Sequence, residues 1–295
     1  MIGRSRSQKV FNVFNILFML FLILITLYPF YYVICASFSA SSYLKGHRGM
    51  LWTPVRFTLG AYKKTFNHPL IVSGFVNILK IMAIALPINM LVTIVAAFFM
   101  SQKNMIFKKV LVFMMLFTMY FSGGLIPSYL NIRDLGMYDS LWALIIPGCL
   151  SVYNAIIVKT AIEAVPEALG ESAYIDGASD VTVLFRIIVP LIIPTLAVIA
   201  LYYGVGHWNS WFAATIYLED NMKLPIQAVL RSVLIANESL LGGSMEVVHG
   251  KNYANDYAET IKFAVIVIST IPILLVYPFL QRFFIKGVMI GAIKG

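Results

Sequence analysis

Phe11–Ala36, FNVFNILFMLFLILITLYPFYYVICA, carries no charged residue and follows Arg4, Arg6 and Lys9. Crossing hydrocarbon about 30 Å thick takes about 20 apolar helical residues, so this run is long enough to span it. A cleavable leader is the other reading of such a start, but its apolar core runs to about 7 to 15 residues and further spans follow here. A membrane barrel would alternate apolar and polar residues in segments of about 10, unlike these continuous runs. The segment therefore reads as a retained first helix with its basic start in the cytoplasm.

Five more runs read the same way: Ile71–Met100, Val110–Leu130, Leu141–Ala161, Val183–Gly206 and Ile261–Phe284. Residues 1–295 are thus expected to form a single all-α membrane domain of six transmembrane helices, multi-pass, with both termini cytoplasmic. Of 295 residues 60% are hydrophobic and 12% charged, with mean hydropathy +0.85, against about 25% charged in a soluble domain. A water-soluble globule is excluded. The net charge of +9 arises from Lys and Arg flanking the apolar runs, which fits membrane lipid and topology and not nucleic acid. One outer stretch, Lys45, Arg48, Arg56, Lys63 and Lys64, has no acid among it and suits lipid phosphates or an anionic solute. Cys35 and Cys149 stand in apolar sequence and give neither a disulfide framework nor a metal spacing. Breaks at Pro87, at Gly123, Gly124 and Pro127, and at Pro272 and Pro278 suit a cavity lining, a hinge, or ordinary membrane-helix proline.

Acid is scarce and clustered: the first Asp or Glu is Asp134, and five of the thirteen lie between Glu163 and Asp180. They fall in an inner loop, residues 162–182. There Pro166 suits a first helical turn, and the acids after it suit the positive amino end of a helix. Asp176-Gly177 breaks that helix, and Ser179 or Asp180 can cap the next. Such a hairpin, with small Ala168 and Ala173 and charged Glu171, is shaped to enter a groove on another protein; a plain solvated connector is the alternative. The other long segment, residues 207–259, is extracytoplasmic in this topology and long enough to meet something in solution.

Glu171-Ser172-Ala173-Tyr174-Ile175-Asp176-Gly177-Ala178, followed by Phe185 and Pro190, resembles the Glu-Ala-Ala loop of ABC importer permeases: Glu-Ala-Ala, three residues, Gly, then an Ile-x-Leu-Pro ending. Ser172 stands for the first alanine and Val189 for the leucine. Phe121–Pro127 (FSGGLIP), Trp142–Gly148 (WALIIPG) and the tail from Gln281 (QRFFIKG) through Gly291–Gly295 (GAIKG) are similar to the maltose-type sugar permeases. The resemblance covers nearly the whole chain. Within that branch it looks most like the group importing oligosaccharides and uronate-containing saccharides, such as aldouronate or alginate.

The resemblance implies a place in the bacterial cytoplasmic (inner) membrane and a heterodimer with a second homologous permease subunit. It also implies a dimer of ATPase subunits that bind ATP and Mg, an extracytoplasmic solute-binding protein and a saccharide substrate. By the same resemblance the helix carrying Glu171 is a cytoplasmic coupling helix that docks in an ATPase cleft. Glu167, Glu171, Ser172, Ala173, Asp176, Gly177 and Pro190 are then the expected coupling residues. The outer loop, with Leu224, Pro225, Gly242 and Gly243, resembles the family loop that reaches into the binding protein.

The chain itself has no G-x-x-x-x-G-K-[ST] loop: its one Gly-Lys pair, Gly250-Lys251, lacks both the upstream Gly and the following Ser or Thr. No cofactor, catalytic set or metal set is expected in it. Sugars bind through hydroxyl hydrogen bonds and by laying C–H faces on aromatic rings. Tyr153, Asn154, Tyr203, Trp208, Asn209 and Trp211 are therefore candidates for the solute path, with Asn77, Asn89, Tyr202 and His207 beside them; aromatics sitting at headgroup level are the plainer reading. An ion-coupled secondary transporter of small solutes is the rival. It would place ionisable acids mid-span, and no Asp or Glu lies centrally in any of the six runs. A membrane enzyme finds no support, for there is no HExxH, no cysteine pair and no Ser/His/Asp set.

Overall fold

The computed structural model describes residues 6–44, 46–103, 105–241 and 258–292. In chain order the principal helices are α1 (Arg6–Ser37), α2 (Pro69–Ser101), α3 (Lys108–Tyr120), α4 (Leu125–Asp134), α5 (Trp142–Ile145), α6 (Val152–Glu163), α7 (Glu167–Ile175), α8 (Asp180–Leu191), α9 (Ile193–Trp208), α10 (Phe212–Tyr217), α11 (Ile226–Leu241) and α12 (Ala258–Ala292). Among the described residues the only β pairing is an isolated bridge between Ser39 and Phe57. The chain divides into two compact units, Met1–His68 with Ser232–Ile271, and Pro69–Arg231 with Pro272–Gly295.

In the first unit α1 is apolar on every face, and from Gln8 to Ile34 it buries no side chain within the chain. A helix so composed needs lipid or another protein around it. Only its end is packed, where Cys35 and Ala36 join Leu44 and Leu51, with Tyr32 and Phe263 alongside. The Ser39 hydroxyl donates to Cys35 O at 2.8 Å and accepts from Val55 N at 3.0 Å, clipping the following segment to the helix end.

The second unit is built around α2. Its buried residues recur at helical spacing, Ile71, Gly74, Ile78, Ile81, Ala85, Asn89, Thr93, Ala97 and Met100, and Gly, Ala, Asn and Thr are frequent on that face. Close helix packing in lipid favours such small residues. Ile94 and Ala97 pack with Val158 and Ile162 of α6, Leu184 of α8, and Leu196, Ile199 and Tyr203 of α9. Gly74 is required sterically: a Cβ there would lie 3.1 Å from Ile226 Cα and 3.2 Å from its N, so α2 could not approach α11 as it does.

Among the described residues α1 and α2 are long and apolar enough to cross a membrane unbroken, and the total reaches four if each of two bent pairs counts as one span. The expected third span bends by 117° between α3 and α4, beside Gly124 at φ +91°. The fifth bends by 86° between α8 and α9. Pro194 has no N–H to give the Pro190 carbonyl, and the chain breaks at Ile192 between them. The fourth, expected as one helix over Leu141–Ala161, is instead α5, a non-helical stretch at 146–151, and α6. Pro147 and Gly148 account for the correction, since neither continues a helix well.

Candidate functional site

Polar side chains close around the break at 146–151. Asn89 Nδ2 donates to Gly148 O at 2.8 Å and to Cys149 O at 3.2 Å, and Asn89 Oδ1 lies 3.1 Å from His207 Nε2. An amide oxygen only accepts, so the His207 ring carries its proton on Nε2. The Tyr203 hydroxyl accepts from Ser151 N at 2.9 Å and lies 2.6 Å from Thr93 Oγ1. Ser151 then caps α6 by accepting from Asn154 N. A buried peptide group left unpaired costs about 1–3 kcal/mol, so a non-helical stretch persists inside a fold only where it is satisfied. Asn89, Thr93 and Tyr203 supply what the break needs.

Of the six solute-path candidates, Asn154, Tyr203 and Trp208 are buried within the chain, and Trp208 packs on Phe75. Tyr153 and Asn209 are exposed and Trp211 is half-buried beneath the guanidinium of Arg231. Leu224 and Pro225 are buried, and the Leu224 and Met222 carbonyls accept from Asn77 Nδ2 at 3.2 and 2.7 Å. Gly242 and Gly243 lie outside the described residues. The sequence reading passed over Lys80, which interrupts the apolar run of α2, is exposed, and has no ion-pair or hydrogen-bond partner among the described residues. A charge within a spanning helix is a signal of function whatever its sign.

Near the end of α4 a second cluster joins two loops. Asp139, at φ +53°, accepts at Oδ1 from Glu219 N (3.0 Å) and Asp220 N (3.1 Å), while Lys223 Nζ reaches its Oδ2 at 2.5 Å and its carbonyl at 2.8 Å. The Lys223 hydrogen bond first, then the Asp220 backbone N–H, hold the Asp139 carboxyl below the usual carboxylate range. Tyr217, whose carbonyl accepts from Asp139 N at 2.8 Å, stacks on Tyr129.

The hairpin from Pro166 to Thr182 is largely exposed and buries no residue. Gly177 N donates to Tyr174 O at 3.0 Å and Ala178 N to Ala173 O at 2.9 Å, with Gly177 at φ +82°. That is a Schellman ending, which calls for a left-handed residue at the turn. A Cβ on Gly177 would meet nothing within 4 Å, so the constraint there is backbone conformation and not space. Ser179 then caps α8 by accepting from Thr182 N. The Tyr174 hydroxyl donates to Asp180 Oδ1 at 2.7 Å across the turn; burial and this bond push its pKa up to about 12. Glu167 pairs with Lys103 at 2.5 Å, both well exposed, an arrangement that adds little stability. Glu171, Ser172, Asp176 and Gly177 all face solvent, Ala173 is partly covered, and Ile175 is 86% exposed. Pro190 is exposed as well, on α8 next to the bend.

No family model matches the chain. It is 39% identical over 267 residues to the polygalacturonan/rhamnogalacturonan transport system permease protein YtcP of Bacillus subtilis, covering 90% of this chain and 92% of that one. It is also 39% identical over 293 residues to Protein LplC of the same organism, covering 99% and 97%. Among solved structures it matches, with a TM-score of 0.87 and 27% identity over 96% of this chain and 100% of that chain, a bacterial ABC transporter involved in the import of the acidic polysaccharide alginate. The bacterial alginate ABC transporter in complex with alginate pentasaccharide-bound periplasmic protein shares the fold, with a TM-score of 0.57 and 15% identity over 94% of this chain and 96% of that one. Among the described residues the fold is helical, with at least two helices long and apolar enough to cross a membrane, and it is the fold of that alginate importer. The chain belongs to the sugar-transport permeases of the ABC transporter family.

Proposed function

We propose that this chain is one permease subunit of an ATP-driven importer of uronate-containing oligo- or polysaccharides in the bacterial inner membrane. It crosses six times, through α1, α2, α3 with α4, α5 with α6, α8 with α9, and α12, leaving both termini cytoplasmic. It pairs with a second homologous permease and receives solute from an extracytoplasmic binding protein. ATP and Mg are held by two partner ATPase subunits. Relatives named for polygalacturonan and alginate transport support the substrate class.

The observation that carries this reading is the exposed α7 and its rigid turn. Glu171, Ser172 and Ala173 offer a carboxylate and small side chains to an ATPase cleft, and Leu169 and Ile175 offer apolar surface beside them. The Schellman turn and the Tyr174 to Asp180 bond tie α7 to α8, which continues across the bend into α9. Movement of α7 with closing ATPase subunits therefore tilts the fifth span, opening a cavity between the two permeases alternately to either side. Switching such a gate from 1:99 to 99:1 takes about 5.5 kcal/mol of differential binding, within reach of nucleotide and loaded binding protein together. Asp220, Asn221 and Met222, exposed on the outer loop, are placed to meet the binding protein, with Leu224 and Pro225 bracing them from below.

The test is Glu171→Lys and Gly177→Val in the whole transporter, with uptake and membrane abundance measured together. Loss of uptake at normal abundance is expected; normal uptake would remove the coupling role. Purification from native membrane is expected to bring down an ATPase and a second permease, whereas a stable homodimer without ATPase would favour the ion-driven reading.

A further inference from the structure

We propose that Arg231, Trp211 and Phe212 form a subsite for the carboxylate of a uronate unit on the extracytoplasmic segment, an inference that rests on the substrate class proposed above. The guanidinium carbon of Arg231 lies 3.7 Å from the Trp211 ring centroid. Trp211 meets Phe212 edge to face, with centroids 5.5 Å apart and planes at 84°. Stacking on an indole engages the flat face of a guanidinium and leaves its in-plane fork of N–H donors unused.

Among the described residues no carboxylate claims that fork, whereas Lys103, Arg133, Lys159 and Lys223 each have a carboxylate partner. A cation already held in one place by a ring gives up little further freedom on binding a ligand. Beside it Phe212 is 53% exposed, and the turn that presents both rings is fixed by Trp211 N donating to Asn209 O at 3.0 Å. The cluster offers a planar fork for a planar carboxylate, and an apolar ring for the C–H face of a pyranose. A uronate presents both features in one sugar unit. A neutral hexose has only the second, and a lipid phosphate offers an anion without the apolar face.

The experiment is uptake, by cells carrying the whole transporter, of an oligogalacturonate and of the same oligosaccharide fully methyl-esterified, which keeps the rings and removes the charge. Arg231→Gln is expected to lower uptake efficiency for the free acid about tenfold and to leave the ester unchanged. Arg231→Lys, which keeps the charge without the fork, is expected to recover only part. Phe212→Ala is expected to weaken both forms alike. Equal loss of both forms in Arg231→Gln at unchanged protein level would make Arg231 a structural or lipid-anchoring residue and overturn the subsite; no loss of either would overturn it too. A wild-type transporter that takes up neither form but imports a neutral saccharide would instead sink the substrate class, and the subsite with it, while leaving the importer reading in place.

Discussion

The break at 146–151 and the turn at 176–179 both interrupt helices, and they are held in opposite ways. The turn is closed by neighbours: Gly177 to Tyr174, Ala178 to Ala173, Thr182 to Ser179, and Tyr174 to Asp180 six residues on. The break is closed from afar, by Asn89 from 59 and 60 residues away and by Tyr203 from 52. Water can satisfy whatever the exposed turn leaves unpaired, while the break is satisfied by buried side chains of the chain itself. The turn is thus closed within its own segment, and the break is tied to the two helices that seal it.

The largest effect is expected where the distant seal is removed. Asn89→Leu strands the Gly148 and Cys149 carbonyls and the His207 N–H, each unpaired buried group costing about 1–3 kcal/mol, out of roughly 5–15 kcal/mol of total stability. Membrane abundance and Tm of the solubilised protein should both fall; unchanged values would mean that the break does not depend on its seal. Gly74→Ala comes next. Its Cβ meets the Ile226 backbone, which has no flexible end to give way, and overpacking of this kind costs about 1–3 kcal/mol, again read as a lower Tm.

Gly177 sharpens the contrast, because its neighbourhood is empty and only its backbone angle is unusual. Gly177→Ala is expected to cost about 1–2 kcal/mol and to cut uptake at normal abundance, and Gly177→Asn, which tolerates a left-handed backbone better, to restore most of it. Equal defects in the two would show that side-chain space is what matters. A smaller effect follows from Tyr174, whose folded pKa lies above its ordinary value near 10. The Tyr174 to Asp180 bond is therefore fully present below about pH 10 and lost as pH rises through about 12. Hydrogen exchange across residues 174–182 should quicken over that window in the wild type, and Tyr174→Phe should show the faster exchange already at neutral pH. Lys103→Met, which removes an exposed pair, should leave Tm unchanged.

The same contrast explains what could be read in the sequence. Apolar runs mark α1 and α2 as helices long enough to cross a membrane, and local caps mark the hairpin, because each signal lies within a few residues. The buried face of α2 was hidden, since lipid-facing and protein-facing sides are equally apolar; only its Gly, Ala, Asn and Thr residues mark it. Pro147-Gly148 did announce the break in the fourth span, but the run around it was apolar enough to pass as one helix. Tyr203 suits a sugar on sequence grounds because a hydroxyl pairs with sugars and peptide groups alike, and only the fold shows it against Ser151 N and Thr93 Oγ1. Arg231 stands twenty residues beyond Trp211, and no spacing rule joins a turn to a helix across that distance.

The central claim is that α7 is a cytoplasmic handle gripped by a separate ATPase. It is tested most directly by placing a single thiol at Ser172→Cys, with Cys35 and Cys149 replaced, and labelling inside-out vesicles with a membrane-impermeant maleimide before and after rebinding of the ATPase subunits. The account predicts ready labelling of stripped vesicles and protection once the ATPase is bound. Labelling from outside intact cells, or labelling that the ATPase leaves unchanged, would contradict it.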